Sequence, residues 1–164
     1  TLGKEKWQSG WNHAERAKTK VVQILNISGD LANQDSDAFD LVMASFRMPR
    51  SSDEEKGLRR EKIRQATLHA AEVPYNTAVL SLDLLKLLDN LANYGNANAT
   101  SDVGVAGLLA SAACKGALFN VDINLNSLPN EYGQNMRESC PKILAECSVL
   151  AREIMQSVKK RIAE

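Results

Sequence analysis

The sequence predicts an all-α fold: a multihelical bundle of long antiparallel helices with a buried small-residue helix. Three observations carry this. Apolar residues recur every three or four positions over most of the chain. Capping and breaking residues divide that pattern into long segments. No stretch shows the strict alternation of paired strands. At 164 residues the chain is long enough to bury one core, so residues 1–164 are read as a single domain.

A first helix is expected over residues 4–31, where Val21, Ile24, Leu25, Ser28 and Leu31 form one stripe and Gly29 weakens the end. Asp35, Ser36 and Asp37 then offer caps for a short second helix over 38–46, ended by Met48-Pro49-Arg50. Ser52 and Glu55 have capping-box spacing, which predicts a third helix running to about residue 72. Pro74 should kink or break it, with a leucine-rich helix following over 75–94 until Gly95. So broad a leucine arc predicts burial between several neighbours. After a polar loop, Gly104, Ala106, Gly107, Ala110, Ser111, Ala113, Gly116 and Ala117 mark a helix of small residues. Each helical glycine costs about 1 kcal/mol relative to alanine, so their density predicts close packing or clearance for a ligand. A turn at Pro129 leads to a last helix carrying Ile143, Cys147, Leu150, Ile154 and Val158, with Pro141 kinking or restarting it.

Composition narrows the function. Twenty basic and twenty acidic side chains cancel, which leaves no field for a nucleic-acid backbone or an anionic membrane. Cys114, Cys140 and Cys147 form no CxxC pair, as expected of a reducing, cytoplasmic setting. His13 and His69 lack a second ligand at helical spacing, so no metal is expected. Lys4, Glu5 and Lys6 precede any apolar run, unlike a signal peptide. The apolar stretch 103–121 contains Lys115 and is flanked by Asp102 and Asp122, which fits a buried helix better than a membrane span. Trp7 and Trp11, one turn apart, suit either a contact surface or a cover for the domain's own core.

Two places hold more polar residues than packing needs. Asn98, Ser101 and Asp102 lie in a loop that feeds a helix N-terminus, where orphan N–H groups favour an ionised carboxylate. They either cap the helix or serve a substrate, with Asp102 stabilising a cation or accepting a proton. Asn120 and Asn124 stand one turn apart at the end of an apolar helix. They either tie down neighbouring backbone or read the edge of a heterocycle.

These residues resemble a known family. The segment Ala71-Glu72-Val73-Pro74, then Gly95-Asn96-Ala97-Asn98 with Ser101-Asp102, Gly116-Ala117 and Asn120-Val121-x-Ile123-Asn124-Leu125 are similar to the cyclodeaminase/cyclohydrolase family of folate enzymes. Gly3-Lys4-x-Lys6, Asp37-Ala38-Phe39, Arg47-Met48-Pro49 and Glu54-Glu55-Lys56 extend the likeness over the whole chain. The family's usual glycine-rich loop and first apolar helix would precede Gly3. The resemblance implies ring closure of 5-formiminotetrahydrofolate to 5,10-methenyltetrahydrofolate with loss of ammonia, or hydration of the methenyl bridge. It implies a tetrahydrofolate substrate, no metal or other cofactor, and a homodimer or larger assembly. Asp102, then Asp37, are the carboxylates it suggests for catalysis. Asn98, Ser101, Asn120 and Asn124 would orient the substrate, and Lys4 and Lys6 would meet the glutamate tail. The rival from another class is a non-catalytic helical interaction module, which binding of a reduced folate would separate from an enzyme.

Overall fold

The computed structural model describes residues 1–163. Four long helices make up most of it: α1 Trp11–Phe46, α2 Asp53–Tyr94, α3 Thr100–Asn126 and α4 Gln134–Ile162. Short 3-10 turns, Glu5–Gly10 and Ala97–Ala99, precede α1 and α3. The links between helices are short, so successive helices run antiparallel, and α2 packs against all three others.

The two helices expected over 4–31 and 38–46 are one. Residues 5–10 form the tight lead-in, with Trp7 off helical geometry, and α1 then continues through Gly29. Ala17, Ile24, Leu31 and Ala38 are buried at a spacing of seven, one unbroken seam against α2. That continuous burial outweighs the glycine and turns the acidic stretch into helix interior. Ser36 donates its hydroxyl back to the Ala32 carbonyl at 3.5 Å instead of capping a new helix.

The capping box forms at the start of α2. Ser52 Oγ accepts the Glu55 N–H at 3.1 Å, and Glu55 Oε2 accepts the Ser52 N–H at 3.2 Å. The expected break at Pro74 is absent, and α2 runs through it as one helix. A helical proline has no N–H to give the carbonyl four residues back, here that of Ala70. Asn124 on α3 supplies the substitute, its Nδ2 donating to Ala70 O at 2.9 Å. Pro141 is likewise taken into α4.

The main core lies between α2, α3 and α4, where Leu85, Cys114, Val121, Cys147 and Ile154 are fully buried. On α2 the deepest leucines are Leu82, Leu85 and Leu88, while Leu80 and Leu84 lie half-buried toward α1 and α3. The small residues of α3 do two jobs. A Cβ at Gly104 or Gly107 would press on Val158 or Ile154 of α4, whereas Gly116 faces open space. Gly133, before α4, has φ +68°, and a Cβ there would also meet Leu125.

One end of the bundle is tied by its termini. Arg161 donates to the carbonyls of Ala92 and Gly95 at 3.1 and 2.7 Å, satisfying the end of α2. Its guanidinium also lies 5.5 Å from the Trp7 ring centre. Trp11 Nε1 donates to the Thr1 carbonyl at 3.0 Å. Trp7 and Trp11 are thus half-buried in their own chain, which favours the covering reading over the contact one.

Two outcomes follow. Asn124→Ala should cost about 1–3 kcal/mol by stranding the Ala70 carbonyl. In a Pro74→Ala background the helix supplies its own donor, so a chemical-denaturation double-mutant cycle should show most of that cost gone. The second concerns the α3–α4 seam. Burial, with Cys147 alongside, pushes the Cys114 thiol up to about 12, and burial also raises Cys140. An unfolded thiol ionises near pH ~8.5. The unfolded chain therefore releases this proton first, and stability should fall as pH rises from about 9 to about 12. Melting temperatures across that window should drop less steeply for Cys114→Ala than for the parent.

Candidate functional site

α1 and α3 both rest on α2, and between them opens a groove of about 730 Å³. Its floor is the stretch of α2 around Pro74, with Val73, Thr77, Leu80, Ser81 and Leu84. Ile24, Ser28, Leu31, Ala32 and Asp35 form one wall. Ala106, Leu109, Ala110, Ala113, Gly116, Ala117 and Asn120 form the other. The packing reading of α3 holds on the face toward α4, and on its other face the small residues leave the groove its width. The volume falls in the range of small-molecule sites, as does the mix of apolar walls with a few polar groups.

Those polar groups are few. Asp35 is the groove's one carboxylate and Asn120 its one carboxamide. Asn120 Nδ2 donates to Gly116 O at 3.3 Å, which leaves its second N–H and its carbonyl for a ligand. Thr77 and Ser81 donate their hydroxyls to the carbonyls of Val73 and Thr77, so toward the groove their oxygens act as acceptors. A second cavity of about 670 Å³ follows one turn further along α3, at Asn124. Val42, Phe46, Ile63 and Leu128 supply apolar walls there, and Arg60 and Arg64 supply charge.

The residues singled out from sequence do not form one cluster. Asn98, Ser101 and Asp102 are exposed near the start of α3, and the Lys4 and Lys6 side chains are exposed on the chain's opening turns. Thr1 Oγ1 accepts the Asn96 N–H at 2.8 Å, which brings those opening turns to the same end of the bundle. Asn120 lies 18 residues beyond Asp102 on α3, about 27 Å along the axis. The N-cap of α3 is Ala99, which makes no side-chain cap bond, and the Asp102 carboxylate has no partner among the described residues. Asp102 nonetheless lies on the α3 stripe of Ala106, Leu109, Ala113 and Asn120, one turn past the groove's end. Asn124 ties down backbone, as one of its two readings had it.

Asp37 is exposed and does not line the groove, because two helical residues turn it about 200° away from Asp35. Asp35 does line the groove and was not singled out from the sequence. Its signal was present, since the stripe of Ile24, Ser28 and Leu31 reaches Asp35 at its next step, but reading it as a cap hid this. Arg60 and Arg64 were missed as well, because nothing local in sequence says that the start of α2 meets the end of α3.

Comparison with known proteins bears on this geometry. The chain is 29% identical over 163 residues to a methenyltetrahydrofolate cyclohydrolase of Methylorubrum extorquens, covering 99% of this chain and 78% of that one. It is 31% identical over 134 residues to the formimidoyltransferase-cyclodeaminase of Gallus gallus, covering 81% of this chain but only 25% of that protein. The crystal structure of a formiminotetrahydrofolate cyclodeaminase from Thermotoga maritima superposes with a TM-score of 0.76 at 28% identity, over 98% of this chain and 75% of that one. The sequence model described as formiminotransferase-cyclodeaminase matches residues 1–142, and the chain belongs to that family of folate one-carbon enzymes.

Proposed function

We propose that the groove binds a reduced folate and that the chain closes 5-formiminotetrahydrofolate to 5,10-methenyltetrahydrofolate with release of ammonia. The observation that carries this is the groove itself: apolar walls with one carboxylate and one carboxamide. A pterin needs apolar faces and hydrogen-bonding edges, and Asn120 can both donate and accept. The Thermotoga and chicken relatives, named as cyclodeaminases, support the reading.

The chemistry asks little of the protein. N10 of the substrate attacks the formimino carbon, an amidinium cation, and forms a tetrahedral intermediate. The N10 proton must then reach the departing nitrogen, which leaves as ammonia while the methenyl cation forms. Asp35 suits both tasks, since a carboxylate stabilises the cation before and after closure and can carry the proton between nitrogens. No metal or redox group enters this scheme. Asp102, one turn past the groove's end, is the second candidate. Hydration of the methenyl bridge uses the same cation with water as nucleophile, and the Methylorubrum relative favours that alternative.

A second copy of the chain completes the proposal. Leu25, Phe39, Leu109, Phe119 and Ile123 are 63–69% exposed on α1 and α3. Apolar surface on that scale suits burial against another copy, where a standard interface takes ~800 Å² per partner.

Two measurements check these readings. Following methenyltetrahydrofolate by absorbance, with formimino- and methenyl-folate offered separately, tells ammonia loss from hydration. In that assay Asp35→Asn should lower turnover on the order of 100-fold with the melting temperature kept, and Asp102→Asn should lower it less. The reverse order would move the chemistry to the start of α3. Sedimentation at micromolar concentration should give twice the 18.0 kDa chain mass, and Leu109→Lys with Phe119→Lys should return it to the monomer.

A further inference from the structure

The groove does not by itself say which way round a folate lies. We infer that Arg60 and Arg64 form the subsite for the carboxylates of the substrate's glutamate, so that the tail runs toward the start of α2. This rests on the folate reading above.

The two arginines are four residues apart, hence on one face of α2, and both line the second cavity. Three other cations at this end of the bundle are already engaged. Arg59 donates to the Phe46 carbonyl at 3.0 Å, Lys56 pairs with Asp53 at 2.9 Å, and Arg137 bonds the carbonyls of Leu125 and Tyr132. Arg60 and Arg64 have no ion pair or hydrogen bond among the described residues, and Arg64 only lies 5.9 Å from the Tyr132 ring centre. The nearby acid Glu61 accepts from Tyr132 at 3.4 Å and Gln65 at 3.0 Å. A guanidinium left open beside apolar wall is built for a carboxylate, which it grips with two parallel N–H bonds.

Distance and wall chemistry agree. From Pro74 on the groove floor to Arg64 is ten residues of α2, about 15 Å along the axis. That is the reach of an aminobenzoyl ring carrying one glutamate. The apolar side chains of the same cavity, Val42, Phe46 and Ile63, suit the ring. At the opposite end, Lys4 and Lys6 lie beyond Asp102, itself about 27 Å from Asn120, and Lys6 sits 5.1 Å from the Trp7 ring centre. With the pterin between Asp35 and Asn120, Arg64 lies within the tail's reach, whereas Arg16 toward the other end is 19 residues of α1 from Asp35, about 28 Å along the axis.

The test is calorimetric binding of two stable probes to the full chain: 5-formyltetrahydrofolate and its pteroate analogue, which lacks the glutamate. The parent should bind the folate at least tenfold more tightly than the pteroate. Arg60→Gln with Arg64→Gln should erase that preference while pteroate affinity stays within about twofold, and Lys4→Gln with Lys6→Gln should keep it. Arg60 is exposed, so Arg60→Gln alone should fold and cut the preference should the double variant not fold. Preference retained without the arginines, or lost with the lysines, overturns the orientation while leaving the folate reading intact. A parent chain that binds neither probe overturns the folate reading and this inference with it.

Discussion

The architecture depends on one hydrogen bond that replaces another. α2 carries α1 on one flank and α3 with α4 on the other, so a break at Pro74 would separate the two walls of the groove. The carbonyl freed by that proline is Ala70's, and Asn124 of α3 takes it at 2.9 Å. The same contact thus keeps the central helix whole and fixes α3 against it between the groove and the second cavity. Val73 and Pro74, part of the floor, are buried there, and no buried polar side-chain atom is left unsatisfied among the described residues. A proline in the middle of a supporting helix is normally a cost of about 3 kcal/mol. Here an amide from a neighbouring helix offsets it.

The sequence made the fold class and most element types legible because they depend on local periodicity. The capping box at Ser52 and Glu55, the stripe from Ile143 to Val158 and the burial of the leucine-rich segment between several neighbours all appear as expected. Boundaries failed where a distant contact outweighed a local signal. Gly29 and the Asp35–Asp37 stretch weaken a helix in isolation, yet the seam of Ala17, Ile24, Leu31 and Ala38 holds α1 together. Pro74 gave the same lesson, because its compensating partner lies 50 residues away in sequence.

The site was legible only in part for the same reason. Residue types chosen for their chemistry, such as Asp102 and Asn120, share a stripe on α3 but stand some 18 residues apart. Proximity in a bundle follows from which helices touch and at what height, and periodicity supplies neither. The small residues of α3 were correctly read as purposeful, yet only coordinates separate Gly104 and Gly107, which admit α4, from Gly116, which opens onto the groove.

α1 leans on α2 alone, with no comparable support from α3 or α4. Helices held on one side are the first to detach in the thermal fluctuations of a folded protein. The groove wall that carries Asp35 is therefore its softest part, and the cleft can breathe without disturbing the core beneath. A molecule lodged between α1 and α3 would serve as the second support that α1 lacks. Its binding energy would then appear as protection of α1 backbone amides against exchange with solvent, growing with ligand concentration as RT ln(1 + [L]/Kd).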